Sequence, residues 1–350
     1  MPTVVLDPGL LAFVPLISRA DLFTKVEQLV TWSKISATRP WVKLALVPST
    51  REFLEIHDLI PAHEPAKRLL ETTGLRNVYS PEDIIRPVYD LLEKSLPTEY
   101  CCVTDELHED FSADPTQPWH GNDPTVEALS QRALLMSYLE NQVHNQKKLQ
   151  LFASVFGSDA IKFEARLEAV EPDAIPGFGE QDMPMDVQDT FQHVRSIEDV
   201  CSTVNPDEMW AHALSSWDVK FAIQLACRQR MIAEGTYSGL DNVPLFFVGA
   251  DFRPSLKKWQ ADAHHRFATQ TLETCAAAVL DLPTVEIKPF RKARRASDLA
   301  YPLRAHISKA GVGLRLMMWR RPMTRRCIEF ANVGGKNEEE ISYSDPSLAV

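Results

Sequence analysis

The amino-acid sequence predicts a mixed fold, an α/β domain followed by an α+β domain. Three observations predict it. Short apolar runs alternate with helix signals over residues 1–112, a proline-rich break follows, and the chain closes on an apolar strand–turn–strand pattern. Length and composition agree: 350 residues suit about two domains, and 45% hydrophobic with 24% charged residues is the balance of a globular protein. No apolar run reaches the ~18–20 residues that a membrane-spanning helix needs. The opening Met1-Pro2-Thr3-Val4-Val5-Leu6-Asp7 has no basic residue before its apolar stretch, so no signal peptide is expected and a cytoplasmic location follows.

Taken in order, Val4-Val5-Leu6 reads as a buried strand. Val42 to Val47 is a second, closed by Pro48, and Tyr100 to Thr104 a third. Ser80-Pro81-Glu82-Asp83 starts a helix, with a capping serine, proline in the first turn and acids where the helix dipole favours them. Strands separated by helices predict a parallel, helix-covered sheet. Residues 113–127 are rich in proline and form a linker, and residues 128–204 a connecting region with a mobile loop at 171–190. Within that region Leu129, Ala133, Met136, Leu139 and Val143 recur at helical spacing, whereas Ile161, Phe163, Ala165 and Leu167 alternate as a half-buried strand does. Residues 205–342 make the second domain. A helix opens at Asn205-Pro206 and runs to Gly235, a strand covers Leu245–Gly249, and a long helix spans roughly 255–280. A short strand at 285–288 and two closing strands at 313–319 and 327–333 follow, and 343–350 is a tail.

The six cysteines (Cys101, Cys102, Cys201, Cys227, Cys275 and Cys327) form no C-x-x-C pair, which argues against a zinc ribbon or redox motif and for buried, reduced thiols. Charge is divided sharply. The chain carries −11 in total, yet residues 288–326 hold twelve Lys or Arg and the single acid Asp298, a local charge of +11. Residues 1–287 carry −18. A segment this basic meets a polyanion or an acidic protein surface. Nine of the twelve cations are arginine, the side chain that forks onto phosphate. The candidate nucleic-acid contacts are Arg291, Lys292, Arg294, Arg295, Arg304, Lys309, Arg315, Arg320, Arg321, Arg325 and Arg326. The same charges could equally lie against an acidic subunit or against the chain's own acids.

Acids also gather at predicted strand ends: Asp7 after the first strand, Glu52 and Glu55 after the second, Asp105 and Glu106 after the third, with Asp110 just beyond. The carboxyl ends of parallel strands form the ligand crevice of open sheets, and carboxylates that converge there call for a hard cation such as Mg²⁺ or Mn²⁺, which activates water against a phosphodiester. In this pattern residues 1–112 resemble the PIN-like nucleases. That resemblance implies a Rossmann-like sheet and metal-dependent cleavage of RNA or DNA, with Asp7, Glu52, Asp105 and Asp110 as catalytic acids and Asp7 and Asp105 on the metal. The closing strands, with Leu303-Arg304, Gly313 to Leu316, Ile328 to Val333 and Lys336, are similar to those of RelE/ParE-type toxins. This second resemblance, over residues 300–342, implies phosphate handling by Arg304, Lys309, Arg315 and Lys336, with His306 as acid/base.

A third signal is the D…ExK spacing of Asp281, Glu286 and Lys288, known from restriction-type nucleases. Asp159, Glu164 and Arg166 nearly repeat it, which shows how readily it arises by chance. No H-E-x-x-H, phosphate loop, dinucleotide fingerprint or G-x-S-x-G occurs, and the adjacent His264 and His265 point about 100° apart on a helix. The expectation is a nucleic-acid-directed effector: a metal-dependent nuclease or toxin-like component of a microbial, antiviral defence or toxin system. The alternative is a non-catalytic subunit of a larger complex that holds nucleic acid or an acidic partner, with no membrane involved.

Overall fold

The computed structural model describes residues 2–13, 17–47, 50–97, 108–114, 124–143, 151–154, 160–167, 185–263, 267–308, 313–322, 327–338 and 340–350. Among them the chain forms eleven α-helices and two mixed sheets, one of seven strands and one of five. The chain divides into two compact units, Pro2–Thr203 and Val204–Val350. No helix among the described residues is long and apolar enough to cross a membrane.

In the first unit the order is β1 (Thr3–Leu6), α1 (Pro8–Leu11), α2 (Arg19–Thr38), β2 (Lys43–Leu46), α3 (Thr50–Ile56), α4 (His63–Thr72), α5 (Glu82–Lys94), β3 (Leu96–Pro97), β4 (His108–Asp114), α6 (Pro124–Val143), β5 (Leu151–Ala153), β6 (Ala160–Leu167), β7 (Met185–His193) and α7 (Ile197–Thr203). Across the sheet they run β3-β2-β1-β5-β7-β6-β4. The first five of these are mutually parallel, and β6 and β4 extend the edge antiparallel. The expected parallel sheet with helices is therefore present. It is not finished by residue 112: β5, β6 and β7 come from 151–193, so the expected segments 1–112, 113–127 and 128–204 contribute to one unit with one sheet. The reason lies in β1, fully apolar at Val4, Val5 and Leu6, which is buried on both faces and needs a neighbour on each edge; β2 supplies one and the later β5 the other. The expected strand at 100–104 lies outside the described residues, as do 171–184 of the expected mobile loop, whose remainder begins β7.

Helix α2 is capped by Ser18, whose Oγ accepts from the Asp21 N–H. Leu22, Val26, Leu29, Trp32 and Ile35 line its buried stripe at spacings of three and four. Leu22 and Val26 pack with Ala66, Leu69, Leu70 and Leu75 of the α4 region and Ile84 of α5. Lys25 falls inside the same stripe and is 1% exposed.

In the second unit the order is α8 (Pro206–Ala211), α9 (Ser216–Ala233), β8 (Phe246–Val248), α10 (Phe252–Lys258), α11 (Ala268–Val279), β9 (Lys288–Pro289), β10 (Tyr301–His306), β11 (Arg315–Arg320) and β12 (Ile328–Gly334). The sheet runs β8-β12-β11-β10-β9, antiparallel except for the parallel β8–β12 pair. The single helix expected over 205–235 is two. Ser215 and Asp218 form a reciprocal capping box that starts α9 afresh, and Gly235, at φ +67°, ends it. The expected helix over 255–280 is also interrupted: Gln260 turns left-handed at φ +51° after α10, and Ala261 N–H closes back on the Leu256 carbonyl. The closing strands pair as expected, with a bulge between Met317 and Met318.

Candidate nucleic-acid interface

Asp7 sits where β1 ends and α1 begins. Its carboxylate caps α1 by accepting from the Gly9 N–H at 2.9 Å. It also accepts from the hydroxyls of Ser130 on α6 (2.5 Å) and Ser154 after β5 (2.7 Å), and it is 0% exposed. Beside it the Lys25 ammonium donates to the carbonyls of Gly9 (2.8 Å) and Ala12, the latter at the end of α1. Burial lowers the Lys25 pKa to about 7, against the opposing pull of the Asp7 charge. His193, at the end of β7, holds Nε2 2.8 Å from the Ser154 carbonyl oxygen and 3.3 Å from the Ser154 backbone nitrogen. The result is a buried polar cluster at the carboxyl ends of the parallel strands, where the sequence placed a ligand crevice.

The donor set does not suit a hard cation. A Mg²⁺ or Mn²⁺ ion takes carboxylate and carbonyl lone pairs, and here most of those of Asp7 accept from three donors, with an amine nearby. Nor does the fold bring the expected acids together. Glu52 lies exposed on the first turn of α3. Asp110 lies on β4, separated from β1 by β5, β7 and β6. Four strand spacings of ~4.8 Å put roughly 19 Å between those strands, too far for one metal. Asp105 lies outside the described residues. Among the described residues no group of three or more His, Cys, Asp or Glu could hold a metal ion. Glu286 and Lys288 of the D…ExK spacing are exposed and paired with each other at 2.8 Å.

The basic segment is divided between interior and surface. Arg295 is 2% exposed and forks onto two carboxylates, Glu329 at 2.7 and 2.8 Å and Asp298 at 2.9 and 2.7 Å. Glu329, 0% exposed on β12, also accepts from Arg321 Nε at 2.6 Å. Trp319 lies beneath the Arg295 guanidinium at 5.2 Å, and Phe247 beneath that of Arg321 at 3.9 Å. These two arginines are therefore internal, facing the chain's own acid. Burial alone would lower the Arg295 pKa, but its hydrogen bonds to Glu329 and Asp298 outweigh that and raise it. The bond from Arg295, before any other cause, holds the Asp298 carboxyl below its usual value.

Arg291, Lys292, Arg294 and Arg320 are exposed, and none of them is ion-paired among the described residues. The first three lie in the loop between β9 and β10, which folds back onto the start of β10 through Phe290 N–H to the Pro302 carbonyl and Arg295 N–H to the Ala300 carbonyl. Arg320 is the cross-strand partner of Tyr301 on that same end of β10. Arg304 and Arg315 are half-buried and share one face of the sheet with His306, since Arg304 opposes Met317 and His306 opposes Arg315. The Nε of Arg304, and Nε and Nη1 of Arg315, are buried without a hydrogen-bond partner. His306 stands at a 570 Å³ groove that Arg230, Glu273, Thr274 and Ser308 also line. Lys309, Arg325 and Arg326 lie outside the described residues.

Sequence reasoning missed Lys25, Ser130, Ser154, His193 and Glu329 as partners. Only Lys25 had a signal, a charge in the apolar stripe of Leu22, Val26 and Leu29. Cys201, Cys227, Cys275 and Cys327 are buried, and burial pushes the thiol of Cys227 up to about 12. Compared with known protein families, curated proteins and solved structures, the chain matches none.

Proposed function

We propose that this chain is a nucleic-acid-binding protein, a non-catalytic component of a larger assembly, that holds phosphates through Arg291, Lys292, Arg294 and Arg320. The observation that carries the reading is the four exposed, unpaired cations around one end of β10. Guanidinium groups already committed to carboxylates, as Arg295 and Arg321 are, have little left for phosphate; these four are open to it. The buried, hydrogen-bonded environment of Asp7 favours binding over metal-assisted cleavage, because a cation there would compete with three donors for the one carboxylate.

Phosphate binding has a salt signature. Four contacts give a slope of log affinity against log salt near −3, so affinity drops roughly 60-fold between about 50 and 200 mM salt. Anisotropy of labelled oligonucleotides measures this, and the double change Arg291→Ala with Lys292→Ala should flatten the slope by about 1.4. Absence of oligonucleotide binding at low salt would refute the proposal. So would cleavage of the probe in Mg²⁺ or Mn²⁺ that is lost in Asp7→Asn, which would restore the catalytic reading.

A further inference from the structure

The end of β10 carries more than charge. Tyr301 is 44% exposed although its neighbours Pro302 and Leu303 are buried. The Arg294 guanidinium lies over its ring, 3.9 Å from the centroid. Arg320 stands beside it across the β10–β11 ladder, and Leu299, two residues before it, is 59% exposed at φ +61°, a conformation uncommon for leucine. The buried ions hold this loop in place: Arg295 grips Asp298, and Asp298 accepts from the Ala300 N–H. An interior salt cluster thus props an aromatic ring, with a stacked guanidinium, at the surface among cations.

We infer that the Tyr301–Arg294 pair is a stacking platform for an unpaired base, which makes single-stranded nucleic acid the ligand of this basic surface. The inference rests on the reading of the strip as a phosphate-binding surface and specifies its substrate class. A flat π surface interleaved with arginines fits splayed bases, whose faces are open, and gains nothing from a duplex, whose bases are stacked on one another. A reader of duplex sequence places a helix or a two-stranded ribbon in the major groove; here the exposed cations Arg291, Lys292 and Arg294 lie on irregular backbone and Tyr301 at a strand end.

The test uses the full chain and four labelled probes of about 20 nucleotides: oligo(dT), oligo(U), an abasic strand with the same phosphates, and a duplex. Oligo(dT) and oligo(U) should each bind roughly tenfold or more tighter than the duplex and the abasic strand at equal salt, and their ratio tells DNA from RNA preference. Tyr301→Ala should lose about tenfold on the base-bearing single strands with an unchanged salt slope, and nothing on the abasic strand. Tyr301→Phe, which keeps the ring, should bind as the wild type does. Arg294→Lys keeps the charge without the plane and should lose several-fold on the same strands, a readout independent of how Tyr301→Ala folds. Salt-dependent binding that is equal for single strand and duplex, or indifferent to Tyr301→Ala and Arg294→Lys, overturns the stacking platform and leaves the phosphate surface standing. Failure of every probe to bind overturns both.

Discussion

Replacement of Arg295 by alanine tests the division of the basic segment into interior and surface. The change removes four hydrogen bonds, two to Glu329 and two to Asp298. Asp298 is 21% exposed at its side chain and can be rehydrated, so its share of the loss is small. Glu329 is 0% exposed and cannot. Breaking a buried pair by removing one partner costs about 3–5 kcal/mol, because the surviving charge stays desolvated. Arg321 still holds one oxygen of Glu329, which sets the expectation at the lower end, about 3 kcal/mol. Urea unfolding followed by tryptophan fluorescence measures it, since Trp319 lies under the guanidinium. The triple variant Arg295→Met, Arg321→Met and Glu329→Leu, which leaves neither Glu329 nor an unpaired guanidinium in this cluster, should recover much of the loss. Acid has a related effect. The Asp298 carboxyl is held below its unfolded value of about 3.9, so its contribution is present above that pH and is lost as pH falls through the folded value. A loss under about 1 kcal/mol would refute the assignment of Arg295 to the interior.

Two further outcomes follow from other sites. Folded Lys25 titrates near pH 7 and unfolded lysine near 10.4, so above pH 7 the unfolded chain binds the extra proton and stability must rise with pH. Between pH 7 and about 8.5, before unfolded thiols ionise, the rise should be on the order of 1–2 kcal/mol, and Lys25→Met should abolish it; a wild-type stability that is flat across this window would contradict the lowered pKa of the buried Lys25 amine. At Gly335 a Cβ would lie 2.7 Å from the Trp259 ring, so Gly335→Ala should cost about 1–3 kcal/mol and lower Tm, whereas Gly334→Ala, whose Cβ would meet nothing nearer than 3.5 Å, should cost less.

The sequence by itself determined the local elements. Val4-Val5-Leu6, Ile161 to Leu167 and the closing strands at 315–320 and 328–334 are strands because their side-chain pattern allows little else, and Asp7 is legible as the residue at a strand end. The capping box of Ser215 and Asp218 was also there to be read, and it breaks what periodicity alone took for one helix. The concentration of arginine over residues 288–326 is likewise a property of composition. Tertiary structure decided what those residues do. Strand order β1-β5-β7 carries Ser154 to Asp7 across 147 residues, and the packing of α6 brings Ser130 across 123; together they make Asp7 a buried helix cap that accepts from two hydroxyls. Glu329, 34 residues from Arg295, draws that arginine and Arg321 inward while Arg291, Lys292 and Arg294 stay outside. The physical reason is the range of the forces: backbone preference and hydrophobic period act within a few residues, whereas the partner of a buried charge is whatever group the sheet topology places within hydrogen-bond reach.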